Sequence, residues 1–297
     1  MRAGLADLHR HLDGSLRPST VAELAARAGR KVPADLDFEP GMGLDAALGR
    51  FAFLLSLLQR PAEVRRAAAE ICEDAAAEGV TTLEIRFAPQ LHRGGPLEEI
   101  VDAALEGTAG RAGLILCGLY GEPPEVLDAL VRVAAPRRGV VGIDLAGGPA
   151  SGQRFSLRDY AGPYRRAAEL GIGRTVHAGE GRPAGEVADA IELLGAQRIG
   201  HGTTLLGDAR ALELVLARGV TIEACLTSNV HTGAIASQDE HPLPEWLRAG
   251  VRACVCSDNT LLSATDAPRE MAWAARRLDE AVLESVRCAG HAAAFRR

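Results

Sequence analysis

The chain has 297 residues, 47% of them hydrophobic, and a formal net charge of −6. That length suits one α/β barrel of roughly 250 residues and allows a large core. An acidic chain without a basic patch lacks the electrostatic footprint of a protein that binds nucleic acid or an anionic membrane. No apolar run reaches the ~20 residues of a membrane span. We therefore expect no nucleic-acid and no membrane partner.

The cysteines contain no CxxC pair and no dense framework. They are Cys72, Cys117, Cys225, Cys254, Cys256 and Cys288. This scatter favours a reducing compartment, and no signal peptide precedes the first predicted strand, so we expect a cytoplasmic protein. Cys254 and Cys256 share a strand face, and we interpret them as small apolar core residues.

Short β-like runs alternate with stretches typical of helices. The predicted strands are Leu5–His9, Thr82–Arg86, Leu114–Cys117, Val140–Asp144, Gly173–His177, Arg198–His201, Val220–Ala224 and Arg252–Ser257. Segment 61–79 begins with proline and stops at Gly79, which suits the ends of a helix. Eight alternating units predict a (β/α)₈ TIM barrel, formed as one domain by residues 1–297.

Two further features refine this prediction. The region Arg17–Leu48 is a long excursion after the first strand, and we predict that it is helical and forms part of a lid. The alternative fold is a doubly wound open sheet. Neither GxGxxG nor a P-loop follows the first strand, which weakens that alternative.

A barrel carries its chemistry at the carboxyl ends of its strands. The polar residues at these ends are His9 and His11 (strand 1), His177 and Glu180 (strand 5), His201 (strand 6), and Asp258 and Asn259 (strand 8). Histidine and carboxylate ligands suit Zn²⁺, and a bound zinc lowers the pKa of its water to ~7. The pattern predicts a metal hydrolase with one zinc per chain. His241 and His291 do not fit it.

Other hydrolase classes fit less well. The HExxH motif of zincin proteases and the HxE…PCxxC signature of small zinc deaminases are both absent. Two-metal barrels often bridge their ions with a modified lysine, and the only lysine, Lys31, lies far from any strand end. A phosphoesterase built on the HxH motif stays an alternative, although such sites usually need more carboxylates and a second ion. A non-catalytic relative would have lost a ligand or Glu180, and none is lost.

Six motifs together resemble the adenosine deaminase family. They are LHRHLDGS, IDLAG, TVHAGE, IGHG, TSNVHTGA and SDN, in the family's order and rough spacing from Leu5 to about Phe295. The resemblance implies a zinc-dependent barrel enzyme that removes the amino group of a 6-aminopurine. The implied zinc ligands are His9, His11, His177 and Asp258.

The resemblance also implies roles for four other residues. Glu180 matches the residue that protonates purine N1, and its position against the substrate in a dry pocket is expected to raise its pKa. His201 matches the histidine that orients and activates the zinc-bound hydroxide, or that only orients it. The backbone N–H of Gly147 matches the donor to N3. Asp13 matches the carboxylate that takes a ribose hydroxyl, although it has the chemistry of a helix cap as well.

Two departures affect the expected substrate. Asn259 stands where the family commonly has a second aspartate, and its amide N–H is a natural donor to purine N7. The lid stretch 44–58 differs from the family's, and its Leu48 and Phe51 fall where the ribose is covered. Adenosine or 2′-deoxyadenosine is the expected substrate. The alternatives are 6-aminodeoxyfutalosine, adenine and N6-methyl-AMP.

We interpret three further polar residues as structural. Arg86, in the run EIRF, is expected to be an ion-pair partner inside the barrel. Asn229 and His231, in SNVHTG, are expected to brace the loop after strand 7.

Overall fold

The computed structural model describes residues 4–149 and 152–296. Eight parallel strands form one sheet in chain order, from β1 to β8. They are β1 Leu5–His11, β2 Val80–Phe87, β3 Gly113–Leu119, β4 Val140–Ala146, β5 Gly173–Ala178, β6 Arg198–His201, β7 Thr221–Ala224 and β8 Arg252–Val255. The chain just after β8 returns to β1, where the Asp258 N–H donates to the His9 carbonyl at 2.8 Å. The predicted barrel is confirmed.

Every predicted strand overlaps an observed one, but two boundaries at the site differ. Strand β1 continues to His11, because the His11 N–H donates to the Asp258 carbonyl at 2.7 Å. Strand β8 ends at Val255 and not at Ser257. Both histidines therefore lie within a strand, whereas Asp258 lies on the loop beyond β8.

Twelve α-helices occur in the described residues. They are α1 Pro18–Arg27, α2 Leu44–Leu57, α3 Pro61–Ala77, α4 Leu97–Thr108, α5 Pro124–Ala134, α6 Ala161–Glu169, α7 Gly185–Leu194, α8 Ala209–Arg218, α9 Leu226–His231, α10 Leu243–Arg248, α11 Ala267–Ala275 and α12 Glu280–Ala293. The prediction for segment 61–79 is confirmed by α3, which is followed by Gly79 at a φ of +81°. A left-handed residue after the last turn is a common end of a helix.

The excursion after β1 is helical at its two ends and irregular between them. Helix α1 starts it and α2 ends it, whereas residues 28–43 form turns. Pro40, Gly41 and Gly43 interrupt that middle segment, because proline removes a helical N–H and glycine favours turns. Helix α2 lines the cavity as expected of the predicted lid, whereas the prediction that the whole excursion is helical is wrong for residues 28–43.

A buried ion network fills the barrel beneath the strand ends. Arg86 donates to Asp144 at 2.7 Å and to Glu223 at 2.8 Å, and all three side chains are fully buried. Buried charges are tolerated only when they are paired and hydrogen-bonded. The interpretation of Arg86 as an interior ion-pair partner is confirmed.

The cysteines are free thiols. Cys254 and Cys256 are buried with Leu8 and Cys225 in a small apolar cluster, as predicted. No helix in the described part of the chain is long and apolar enough to cross a membrane.

Candidate metal centre and substrate pocket

A cavity of about 300 Å³ opens at the carboxyl ends of the strands. The predicted site residues in its wall are His11, Asp13, Leu48, Phe51, Gly147, His177, Glu180, His201, Asp258 and Asn259. His9 is fully buried, and its ring centroid lies 4.6 Å from that of His177. The structure therefore brings the predicted site residues together at one end of the barrel.

Four candidate ligands have the spacing of a shared ion. Nε2 of His11 lies 3.3 Å from Nε2 of His177 and 3.4 Å from Oδ1 of Asp258. Nε2 of His9 lies 3.6 Å from the same Asp258 oxygen and has no hydrogen-bond partner although it is buried. Atoms bound 2.0–2.1 Å from a tetrahedral zinc lie roughly 3.3 Å apart. The four residues fit one zinc.

Two other residues lie close enough to be ligands by distance alone. One group of candidate ligand atoms joins His201 to His9 and His177, and a second joins Cys225 to His9 and Asp258. Burial raises the pKa of the Cys225 thiol well above its ordinary value, which opposes the thiolate that zinc would need. Nδ1 of His201 is held by the amide nitrogen of Asn229 at 3.0 Å.

Two carboxylates that sequence reasoning missed orient the histidine rings. Nδ1 of His9 lies 2.7 Å from Glu223, and Nδ1 of His177 lies 3.0 Å from Asp144. A carboxylate at Nδ1 fixes the tautomer of a histidine and turns Nε2 toward a metal. Both carboxylates also hold Arg86, so the ion network supports both rings.

The neutral state of the buried histidines suits the binding of a metal ion. Burial, followed by the nearby Arg86, lowers the pKa of His9 well below its ordinary value, and burial also lowers the pKa of His11. Neutral imidazole is the form that binds metal. Burial raises the pKa of Asp258 to about 7, and the nearby Glu180 carboxylate acts in the same direction. His201 and Asp258 have φ angles of +70° and +60°, a strained backbone of the kind found at functional sites.

Glu180 and His201 meet through Asn229. The amide nitrogen of Asn229 lies 3.3 Å from Oε1 of Glu180 and 3.0 Å from Nδ1 of His201. The hydroxyl of Thr232 donates to the same Glu180 oxygen at 2.9 Å. Asn229 therefore contacts two predicted catalytic side chains directly, and its interpretation as a loop brace alone is wrong. His231 contacts Ser263 at 3.3 Å, as expected of a brace.

The pKa of Glu180 in the substrate-free cavity lies below its ordinary value. Burial raises it, but His201, His177 and Arg182 together outweigh burial. Glu180 is therefore ionised at neutral pH when the pocket holds no substrate. The raised pKa expected for Glu180 against a bound substrate stays a prediction.

The substrate side of the cavity contains two orphan oxygens. Oδ1 of Asp13 and Oδ1 of Asn259 are buried without a hydrogen-bond partner. Helix α1 has Arg17 as its N-cap residue and no side-chain cap, so the alternative that Asp13 caps this helix is wrong. A Cβ at residue 14 would lie 2.0 Å from Oδ1 of Asn259, so only glycine fits there. Gly147 has a φ of +76°, which glycine adopts readily.

The lid contributes an apolar wall. Leu48 and Phe51 of α2 line the cavity, and the Phe51 ring centroid lies 6.1 Å from that of His11. Leu48 is 42% exposed, which places it at the rim. No lysine or arginine is among the described residues in the cavity wall. Its carboxyl groups belong to Asp13, Glu180 and Asp258.

Helix α9, which carries Asn229, is held at its start by Glu270. The Glu270 carboxyl accepts the Thr227 N–H at 3.1 Å and the Thr265 hydroxyl at 2.7 Å. Burial raises its pKa to about 7. Below that pH the folded chain binds a proton that the unfolded chain releases, so stability falls as pH rises from the ordinary glutamate pKa toward 7.

We expect Glu270→Gln to flatten this dependence. Urea unfolding of metal-free protein should show the wild type losing up to about 3 kcal/mol more than the variant between pH 5 and 8. The exposed Glu98→Gln serves as the control and should follow the wild type. Parallel pH profiles of wild type and Glu270→Gln would contradict the assignment.

The fold and the site define an amidohydrolase-type barrel enzyme. A family model described as adenosine deaminase matches residues 4–295. An adenosine deaminase of Shewanella halifaxensis is 36% identical over 293 residues, covering 92% of this chain and 88% of the relative. This chain therefore belongs to the adenosine deaminase family and is a hydrolytic deaminase.

Two solved structures have the same fold. An adenine deaminase from Arthrobacter aurescens matches with a TM-score of 0.88 at 27% identity, covering 100% of this chain and 95% of that one. The N6-methyl-AMP deaminase from Arabidopsis thaliana matches with a TM-score of 0.86 at 26% identity, covering 100% and 93%. Enzymes that act on different purines thus have this fold.

Proposed function

We propose that this enzyme converts adenosine or 2′-deoxyadenosine to the inosine compound and ammonia, with one zinc ion per chain. The proposal rests on one convergence. One small cavity is lined by three of the four candidate ligands, by Glu180 and His201 and by Asp13 with its unpartnered oxygen. His9 and Asn229 lie behind its wall, against His177 and His201 respectively. The 36% identity to an adenosine deaminase agrees with it. The reducing cytoplasm suits an enzyme with free buried thiols.

His9, His11, His177 and Asp258 would hold the ion. Zinc at such a site supplies a Lewis acid and lowers the pKa of water to ~7. Glu223 and Asp144 would keep the imidazole Nε2 atoms directed at the ion by holding Nδ1.

The remaining steps belong to side chains of the cavity. Addition of water to C6 places negative charge on purine N1, which must then gain a proton. We assign that proton transfer to Glu180, which takes a proton from the attacking water and delivers it to N1. Asn229 and Thr232 hold the carboxyl for this transfer. The amino group then takes the second proton of the added water, the C6–N bond breaks as the C6=O bond forms, and ammonia leaves.

The substrate contacts follow from the donors and acceptors of the wall. The N–H of Gly147 suits N3, and the Asn259 amide suits N7, because both purine atoms are acceptors. Asp13 would accept a ribose hydroxyl, since its buried oxygen is otherwise unpaired. Leu48 and Phe51 would cover the sugar.

The charge of the cavity favours a nucleoside over a nucleotide. Phosphate is recognised by arginine, lysine or clustered backbone N–H groups. The described wall has no lysine or arginine and includes the buried carboxyl of Asp13. A 5′-phosphate brought near that carboxyl would lose its hydration without gaining a cation. N6-methyl-AMP is therefore the least favoured of the alternative substrates.

Removal of the Asp13 carboxyl tests the sugar contact. We expect Asp13→Ala to lower kcat/KM for adenosine by about 10- to 100-fold, because a hydrogen bond to a charged group is worth about 1.5–3 kcal/mol. A substrate without any sugar hydroxyl, 9-methyladenine, should lose much less. Equal losses for both substrates in steady-state kinetics would contradict the contact.

A substrate panel tests the proposed function. Zinc-loaded protein is assayed for ammonia release from adenosine, 2′-deoxyadenosine, adenine and 6-aminodeoxyfutalosine, and for methylamine release from N6-methyl-AMP. We expect the two nucleosides to reach at least ~10⁴ M⁻¹s⁻¹ in kcat/KM and to exceed the others. A clear preference for any other compound would replace the nucleoside in the proposal.

A further inference from the structure

His241 is a buried histidine outside the cavity wall, on the segment between α9 and α10. Its ring packs edge-on against Trp246, with 5.1 Å between the ring centroids. Its Nδ1 accepts the backbone N–H of Leu243 at 3.1 Å. Burial lowers the pKa of His241 to about 3, so the ring is neutral. A neutral imidazole has one acceptor and one donor nitrogen, so Nε2 carries the proton.

This proton fixes the orientation of the Asn229 side chain. Nε2 of His241 lies 3.3 Å from Oδ1 of Asn229 and donates to it. The amide nitrogen of Asn229 therefore faces the opposite way, toward Glu180 and His201. The reversed amide would place its oxygen against the Glu180 carboxylate and its NH₂ against the N–H of His241, so both contacts would be repulsive.

The orientation of Asn229 in turn fixes the tautomer of His201. The amide N–H donates to Nδ1 of His201 at 3.0 Å, so this nitrogen is the acceptor. An amide nitrogen can only donate, and the Glu180 oxygen lies 3.7 Å from Nδ1, too far to accept a proton from it, so the ring carries its proton on Nε2. With Nδ1 at Asn229, Nε2 is the nitrogen left for the centre, where the ring lies 4.9 Å from that of His9.

We propose that His241 is a positioning residue that, through Asn229, sets the tautomer of His201, so that its Nε2–H donates to the oxygen of the attacking water. This inference rests on the proposed function. It resolves the two roles that the sequence left open for His201 in favour of orientation. The backbone N–H of Leu243 starts the chain, and each further step is one hydrogen bond between buried groups.

Steady-state kinetics of zinc-loaded variants test the positioning role. We expect His241→Phe to lower kcat for adenosine by about 10- to 100-fold, the usual loss when an outer partner of a catalytic centre is removed. KM and zinc content should stay near the wild-type values. His241→Gln retains an amide donor and should recover most of the lost turnover. Leu247→Ala removes apolar packing of α10 but takes no part in this chain of hydrogen bonds, so it controls for destabilisation and should keep wild-type turnover.

A double-mutant cycle tests whether His241 acts through Asn229. In an Asn229→Ala background, His241→Phe should cause little further loss of kcat. Unchanged turnover in folded, zinc-loaded His241→Phe, or the same fold loss in both backgrounds, overturns the proposal.

The tautomer can also be measured without turnover. Nitrogen-15 NMR of histidine-labelled wild type should show an Nε2-protonated His201, and His241→Phe should populate the Nδ1-protonated form. A wild-type His201 protonated at Nδ1 overturns the inference. A wild-type enzyme that is inert on adenosine but has the Nε2-protonated ring would instead overturn the proposed function.

Discussion

Replacement of Glu180 by glutamine is expected to leave zinc bound and to lower kcat for adenosine by about 10²- to 10⁴-fold. The amide has nearly the shape of the carboxyl and still accepts a hydrogen bond from Thr232, so the fold should survive. It cannot take a proton from water and pass it to N1, and a positioned acid–base group contributes about that factor. Zinc content and steady-state rates of the same preparation provide the measurement.

Glu122→Gln is the matched control for this variant. Glu122 is a partly buried carboxyl near the carboxyl end of β3, but it does not line the cavity, and its oxygen accepts the Leu119 N–H at 2.9 Å. Its turnover should stay near that of the wild type. Near-normal turnover in Glu180→Gln would contradict the assigned proton transfer.

Loss of a candidate ligand is expected to have the other large effect. In His177→Ala the protein should lose zinc during dialysis, and deamination should fall to the background rate. His177 has two anchors, Asp144 at Nδ1 and the candidate centre at Nε2, where His11 lies 3.3 Å away. Removal of the ring deletes one of the four proposed ligands and leaves a gap beside the centre, which should weaken the binding of the ion. Elemental analysis of dialysed protein measures the loss.

His231→Ala provides a histidine control. His231 is buried against Ser263 and Phe38 and contributes no atom to the four-ligand set. This variant should retain its zinc under the same dialysis. A full complement of zinc in His177→Ala would contradict the proposed ligand set, even if activity were lost.

The fold follows from local patterns that can be read along the chain. Buried strands of a parallel sheet are short apolar runs, and terminal proline and glycine residues mark a helix such as α3. The boundaries of β1 and β8 differ because a backbone contact between His11 and Asp258 decides them. Such a contact joins residues far apart in the chain. The extent of the lid was predicted only roughly, because turn residues between 28 and 43 separate the helices α1 and α2.

The inner groups of the site were predictable, whereas the groups that orient them were missed. The motifs indicate the candidate ligands and Glu180 because these residues follow strand ends. Glu223 is a single acid inside the apolar run of β7, and an acid so placed needs a partner, which is a signal that could have been used. Two features depend on tertiary distances alone. They are the contact of Asn229 with His201 and the effect of neighbouring basic side chains on the pKa of Glu180.

The most direct test of the account is a zinc titration of metal-free protein with adenosine present. We predict that inosine formation increases linearly with added zinc and stops increasing at one equivalent per chain. That result would show that purine deamination depends on one zinc ion per chain. A plateau at two equivalents would instead mean that deamination needs a second ion, which would contradict the single-ion centre. Fully loaded protein that forms no inosine would contradict the central claim.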